Sequence, residues 1–152
     1  MTHLLVCVDF SDVTQAVLAE ARKLAGALRA KVTLLHVAPP QQNLLGLEPD
    51  LIGLEPVPQV PTPLIAPVRQ DTHRGLESLA QQFDGAAMQC QAILVEGSVV
   101  QSIDEHARQM AVDMIIVGSH GHGALYHALV GSVTEGLLRQ ARQPVLVVRS
   151  QR

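Results

Sequence analysis

Residues 113 to 132 read Asp113-Met-Ile-Ile-Val-Gly118-Ser-His-Gly121-His-Gly123-Ala-Leu-Tyr-His-Ala-Leu-Val-Gly131-Ser132. The stretch opens as an apolar run of strand length that ends at a glycine. A loop rich in Gly and His follows, and Ser132 begins a short helical stretch to about Ala141. Glycines after a strand let the backbone turn tightly and bring its N–H groups against oxyanions. A helix start adds orphan N–H groups and the positive end of a dipole, and the Ser132 hydroxyl is one more donor. The same residues have a plainer reading, in which Ser132 caps the helix with Glu135 in the box Ser-Val-Thr-Glu and the glycines only turn the chain. By themselves they do not decide between the two.

The chain on either side supplies the rest of a fold. His3 to Val8 is a nearly continuous apolar strand, of the kind covered on both faces. From Val13 the apolar residues at 13, 17, 21, 24 and 28 draw the stripe of a helix to about Arg29, with Ser11 or Asp12 as its cap. Lys31 to Val37 is a second strand. After a proline-rich stretch come a helix from about Val68 to Phe83, a strand from Cys90 to Val95, and a helix through Met110 opened by a Ser98–Gln101 capping box. Asp113 to Val117 is the fourth strand, and Val145 to Arg149, opened by Pro144, the fifth. Strands alternating with helices predict an α/β fold: an open five-stranded parallel sheet with helices on both faces. With strand order 3-2-1-4-5, ligands bind at the carboxyl ends of strands one and four, where the order reverses. Those strands end at Asp9 and Gly118, so the acidic residue and the glycine loop meet. An Asp at a strand end by itself reads as a cap for the next helix, but the place of Asp9 opposite Gly118 favours ligand contact.

All but one of the nine prolines fall within residues 39 to 67, at 39, 40, 49, 56, 58, 61, 63 and 67. No helical period survives there, and the segment reads as a long, partly mobile excursion, with Leu44, Leu45, Leu47, Leu51, Ile52 and Leu54 to pack on something. The 152 residues suit one domain, and no repeat or second domain is visible. Apolar residues are 47% but aromatics only 2%, so the core must be aliphatic and base-stacking platforms for single-stranded nucleic acid are missing. A net charge of −3, with Arg139, Arg142, Arg149 and Arg152 read as sparse solvated surface, argues against a nucleic-acid partner. No apolar run is long enough to span a membrane, and the N-terminus reads as a strand rather than a signal peptide. Cys7 and Cys90 lie on strands two spacings apart, roughly 9 to 10 Å, beyond disulfide reach, and read as buried thiols. The expectation is a cytoplasmic protein.

Gly118-x2-Gly121-x9-Gly131-Ser132 resembles the G-x2-G-x9-G-(S/T) pattern of the ATP-binding members of the universal stress protein family. Val8-Asp9-Phe-Ser11, Leu35-His36-Val37, Asp113-Met-Ile-Ile-Val-Gly-Ser-His-Gly and Pro144-Val-Leu-Val-Val are similar to the family as well. The likeness covers nearly the whole chain, 1 to 152, except the proline-rich insert. It implies a Rossmann-like domain similar to the adenine nucleotide alpha hydrolases, holding ATP, or AMP or ADP, with Mg or Mn as an accompanying metal. By position it implies that Gly118, Gly121, Gly131 and Ser132 hold the phosphates and that Val133 lends a backbone N–H beside them. Asp9 would meet the ribose hydroxyls or a metal-linked water, and the Val37 backbone the adenine edge. The insert lies beside the adenine side, where it could cover or crowd the base.

His120, His122 and His127 read as solvent-facing rather than as metal ligands, because no Cys or carboxylate with ligand spacing accompanies them. A second reading has them turn cationic near about pH 6 and strengthen phosphate binding. His36 and His106 fall on core elements and read as structural. The last strand, apolar from Val145 to Val148, is a sheet edge that invites pairing with another chain, and the resemblance implies a homodimer through it.

Three functions are open to such a chain. The first is a nucleotide-dependent stress-response or signalling module with slow hydrolysis at most. The second is an ATP-using enzyme, against which stand the absence of a P-loop lysine, of clustered carboxylates and of a nucleophile–base pair. The third is a module for an unknown protein partner, with a vestigial nucleotide site. A flavin or NAD domain is the least favoured reading, because the first strand–helix turn, Asp9-Phe-Ser-Asp, lacks G-x-G-x-x-G. The first reading is favoured.

Overall fold

The computed structural model describes residues 1–39, 66–83, 89–119 and 130–149. Along them run β1 (His3–Cys7), α1 (Thr14–Leu28), β2 (Lys31–Ala38), α2 (Ala66–Gln81), β3 (Cys90–Glu96), α3 (Val99–Gln109), β4 (Met114–Gly118), α4 (Ser132–Gln140) and β5 (Val145–Val148). The five strands form one all-parallel sheet in the order β3-β2-β1-β4-β5, as the alternation predicts. Most of the proline-rich insert lies outside the described residues, and so does the stretch 120–129 with Gly121 and the three loop histidines.

Strand alternation sorts the core into two aliphatic layers. Leu4, Val6, Val32, Leu34 and Ile116 face one side, where Val17, Leu18, Ala21 and Ala25 of α1, Leu76 of α2 and Phe83 cover them. Leu5, Leu35, Val37, Ile115 and Val117 face the other, under Ile103 and Ala107 of α3 and Leu137 of α4. Gly136 lets α3 and α4 approach: a Cβ there would lie 2.9 Å from Val100 Cγ2.

Several element ends differ from the sequence reading, each for a local reason. Neither Ser11 nor Asp12 caps α1. Val13 is the N-cap residue, with no side-chain cap bond, because the Ser11 side chain turns back to Asp9. Ser98 is the N-cap of α3, but it makes no side-chain cap bond, so the expected capping box does not form. The chain enters through Gly97 at φ 153°, a conformation open to glycine, with its N–H on Ala38 O at 3.0 Å. α2 starts two residues earlier than predicted, since Pro67 sits in the first turn, where no intrahelical N–H is needed.

Both cysteines are free. They are separated by β2 and pack on opposite faces of the sheet, Cys7 with the layer under α3 and α4 and Cys90 with the layer under α1 and α2. Burial pushes the Cys7 thiol up to about 12, so it is inert as a nucleophile.

At the amino ends of the strands a small polar group is buried in the aliphatic layer. His3 Nε2 hydrogen-bonds Thr33 Oγ1 at 2.8 Å, and Gln91 Nε2 donates to the same hydroxyl at 3.0 Å. The His3 N–H donates to Asp113 Oδ2 at 2.7 Å. Burial, then the Lys31 charge, hold the imidazole below its ordinary 6.5, opposed by a backbone hydrogen bond at Met110 and by Asp113. The folded state therefore favours neutral His3, and below 6.5 the unfolded chain binds more protons. Stability from this group is full above 6.5 and is lost as pH falls from there toward the lowered folded value. Thermal melts should show Tm falling as pH drops below 6.5. His3→Gln, which keeps a hydrogen-bonding side chain but cannot titrate, should flatten that slope, and an unchanged slope would remove His3 as its source.

Candidate functional site

The winding of the sheet creates the site. From β1 the chain moves outward through β2 to β3, with α1 and α2 on one face. It then returns to the other side of β1 and moves outward through β4 to β5, with α3 and α4 on the opposite face. Right-handed crossovers require that change of face when the direction reverses. Beyond β1 and β4 the connections part to opposite sides, leaving a crevice at the carboxyl ends of the strands.

Three of the expected residues converge there through register. β1 and β2 pair up to Cys7↔Leu35, and two residues further the same register sets Asp9 opposite Val37. β1 and β4 pair up to Val6↔Ile116, so Val8, next to Asp9, falls level with Gly118. Val8 N–H donates to Leu35 O at 3.0 Å, which fixes the Leu35 backbone groups on the β1 side of β2. Alternation then turns Ala38 toward β3, where its carbonyl accepts from Gly97, and Val37 toward β1. Since β1 has already ended, the Val37 N–H and C=O open into the crevice.

Asp9 holds the turn into α1. Its Oδ1 accepts from the Ser11 N–H at 3.0 Å, the Ser11 hydroxyl at 2.6 Å and the Thr14 hydroxyl at 3.4 Å. The next residue, Phe10, sits at φ 59° with its ring edge-on to His36, centroids 5.0 Å apart, and against Gly75 of α2. His36 donates from Nδ1 to Val8 O at 2.8 Å, a structural role as expected. Arg69 of α2 binds Glu96 at 2.7 Å, beside Gly97 at the same end of the sheet.

On the other side of the crevice the glycine loop is pinned at its neck. Gly131 N–H donates to Ser119 O at 2.6 Å, and Ser119 N–H donates to Val148 O at 2.8 Å. The buried Thr134 hydroxyl donates to Gly118 O at 2.7 Å. The N-cap residue of α4 is Gly131, not Ser132, and among the described residues no side chain caps this helix. The Ser-Val-Thr-Glu box is therefore not formed: Glu135 instead binds Arg139 at 2.6 Å. The first backbone bond of α4 runs from Glu135 N–H to Gly131 O, leaving the N–H groups of Ser132, Val133 and Thr134 without intrahelical acceptors. The Gly131 N–H, by contrast, is committed to the neck. Gly121 lies outside the described residues.

Thr134 and Ser119 escaped the sequence reading. The signal was present in Ser-Val-Thr-Glu, but the reading gave the capping oxygen to Ser132, and only the fold shows Thr134 facing inward. Among the described residues no group of three or more His, Cys, Asp or Glu is placed to hold a metal ion, and no helix is long and apolar enough to cross a membrane.

An open α/β domain with uncapped helix N–H groups, an unpaired strand edge and a carboxylate around one crevice belongs to the class of switch-point binding folds. The model of the universal stress protein family matches residues 1–149, and the chain belongs to that family. It is similar to a universal stress protein of Methanocaldococcus jannaschii, at 27% identity over 93% of this chain and 90% of that one. The solved structure of that archaeal protein superposes with a TM-score of 0.82, at 25% identity, covering 99% of this chain and 97% of the other. The universal stress protein YxiE of Bacillus subtilis is 30% identical over 96% of this chain and 97% of its own. The structure of the Archaeoglobus fulgidus universal stress protein in complex with dAMP shares the fold, with a TM-score of 0.66 at 16% identity over 97% of this chain and 98% of the other.

The neck makes a direct prediction. Thr134→Val keeps the shape but leaves the half-buried Gly118 carbonyl without its donor, and should cost about 1–2 kcal/mol. Thermal unfolding should show that as a Tm lower by roughly 3–6 °C. A Tm within 1 °C of wild type, on the scale of about 0.3 kcal/mol, would mean that the neck does not depend on this bond.

Proposed function

We propose that this chain is an adenine-nucleotide-binding universal stress protein of the cytoplasm, with ATP as its preferred ligand, acting as a nucleotide-dependent stress-response or signalling module. The observation that carries the reading is the start of α4, which no side chain caps among the described residues, set beside Gly118 and across the crevice from Asp9 and the Val37 edge. Unsatisfied N–H groups and a positive dipole end favour a phosphate there. Val37 offers one donor and one acceptor, which suits the edge of adenine. Asp9, between base and phosphate, suits the ribose hydroxyls. The dAMP bound to the Archaeoglobus fulgidus relative supports an adenine nucleotide as the ligand class. In this reading Gly118, Gly121 and Gly131 keep the loop backbone close to the phosphates, and Ser132 and Val133 donate to them. Mg or Mn would arrive with the phosphates, which supply most of the oxygen ligands such ions take. Binding rather than turnover fits the described residues: Lys23 is paired with Glu20 on α1, and Lys31 opens β2 at the far end of the sheet.

Acid release of nucleotide from freshly purified protein, resolved by chromatography, tests this. Adenine nucleotide near one per chain is expected, lost in Gly121→Val. Ser132→Ala, which removes one hydroxyl donor to a charged group, should weaken ATP by about 10-fold, or roughly 1.4 kcal/mol. Wild type that is empty and ignores millimolar ATP–magnesium would overturn the reading.

The same proposal includes a homodimer through Val145–Val148. β5 is the outer strand beside β4, and all four of its residues are partly buried. Ser119 N–H reaches Val148 O, so Val148 and Leu146 turn their backbone groups to β4, while Val145 and Val147 turn theirs to the open edge. An apolar edge of this kind is suited to pairing with a second copy. Light scattering should give about twice the chain mass of 16.3 kDa. Val147→Pro, which deletes an outward N–H, should give one chain mass with the circular dichroism retained. A folded Val147→Pro variant that stays dimeric would place the interface elsewhere.

A further inference from the structure

We infer that Arg149 is the specificity-determining residue that makes the site prefer a nucleoside triphosphate over a monophosphate, by pairing with the terminal phosphates. This rests on the nucleotide reading above and deepens it. The direction of the ligand follows from the order of the strands. With the base at Val37 beyond β2, the ribose at Asp9 beyond β1 and the first phosphate at Gly118 beyond β4, the molecule runs across the sheet in the order 2-1-4. The next strand on that line is β5, and the first residue past its end is Arg149.

The local geometry places Arg149 beside the neck of the loop. Gly118 pairs with Val148, and Ser119 N–H donates to Val148 O at 2.8 Å, so Arg149 falls level with Ser119. Ser119 O in turn holds the Gly131 N–H. Val145 and Val147 pack into the layer under α3 and α4, and continued alternation sets Arg149 on that same face. There, at the carboxyl ends of the strands, α4 begins.

The charge pattern points the same way. A cation is stabilised at the C-terminal end of a helix and destabilised at its N-terminal end, where both are positive. Arg149 stands at the unfavourable end and is exposed. Among the described residues it has no ion pair, whereas Arg69, the other arginine at this end of the sheet, is held by Glu96. Arg139, although also exposed, is paired along its own helix with Glu135. An anion between Arg149 and the α4 N-terminus converts that repulsion into attraction to both. A guanidinium with several fixed donors suits phosphate oxygens, and a monophosphate seated at Gly118 and α4 would leave it out of use.

The test is titration calorimetry of the full-length chain, freed of nucleotide, with ATP, ADP and AMP in the presence of magnesium. Wild type should bind ATP more tightly than AMP. Arg149→Ala should weaken ATP by about 10- to 30-fold, as for a lost charge-assisted hydrogen bond, while AMP affinity changes by less than about 2-fold. Arg149→Lys, which keeps the charge but not the fork, should recover part of the ATP affinity. An unchanged ratio of ATP to AMP affinity in Arg149→Ala would overturn the assignment and leave the nucleotide reading standing. A wild type that binds none of the three would overturn both.

Discussion

The handedness of the strand–helix–strand crossover is the constraint on which the rest of this structure depends. Parallel strands buried on both faces need helices on both, and right-handed connections supply them only if the chain reverses its direction across the sheet. Here the reversal falls between β3 and β4, leaving β1 in the middle of the sheet with β4 beside it. The candidate site lies in the gap that opens where the connections from β1 and β4 part. Asp9, Val37 and Gly118 are brought to it by register alone, with no need for long side chains to reach across.

A gap lined by backbone needs rigid walls, and each wall here is tied to the sheet by a different device. On the β1 side Asp9 gathers Ser11 and Thr14, so the turn into α1 has one geometry. Phe10, held between His36 and Gly75, docks that turn onto α2. On the β4 side the two ends of the glycine loop are sewn to one another and to β5, through Gly131 to Ser119 and Ser119 to Val148. Thr134 then fastens the first turn of α4 to Gly118. The N–H groups of α4 are thus aimed before any ligand arrives, and such preorganisation cuts the ordering cost of binding.

The fold was legible in the chain because its determinants are local and repeated. Apolar runs of strand length at His3, Lys31, Cys90, Asp113 and Val145, each followed by a helical stripe or a break, admit few arrangements. The site was legible in part, since Asp9 and Gly118 follow from the topology and the glycine pattern from spacing. What stayed hidden was how each polar side chain is used. Ser11, Ser98 and Ser132 all stand where a serine caps a helix, and none makes a side-chain cap bond. A short hydroxyl can serve its own turn or a neighbour's, and only tertiary structure chooses between them. Thr134 is the converse, read as filler within a box and found as the clasp of the loop. Arg149 was likewise taken as solvated surface, because sequence says nothing about which end of a helix lies beside it.

The two ends of the sheet therefore carry opposite kinds of polar group. At the amino ends buried His3 and Thr33 bind one another, exposed Gln91 donates to the Thr33 hydroxyl, and Asp113 takes the His3 amide. These bonds tie three adjacent strands together. At the carboxyl ends the donors of α4 and the edge of Val37 have no backbone partner among the described residues. In a chain with only 2% aromatics, the aliphatic core has few specific contacts with which to fix strand register. The buried polar group at one end helps to fix it, since a slip of one residue would turn His3 and Thr33 to the opposite face. The same register then sets Asp9 opposite Val37 at the other end. The precision of the crevice is thus anchored in part at the far end of the strands.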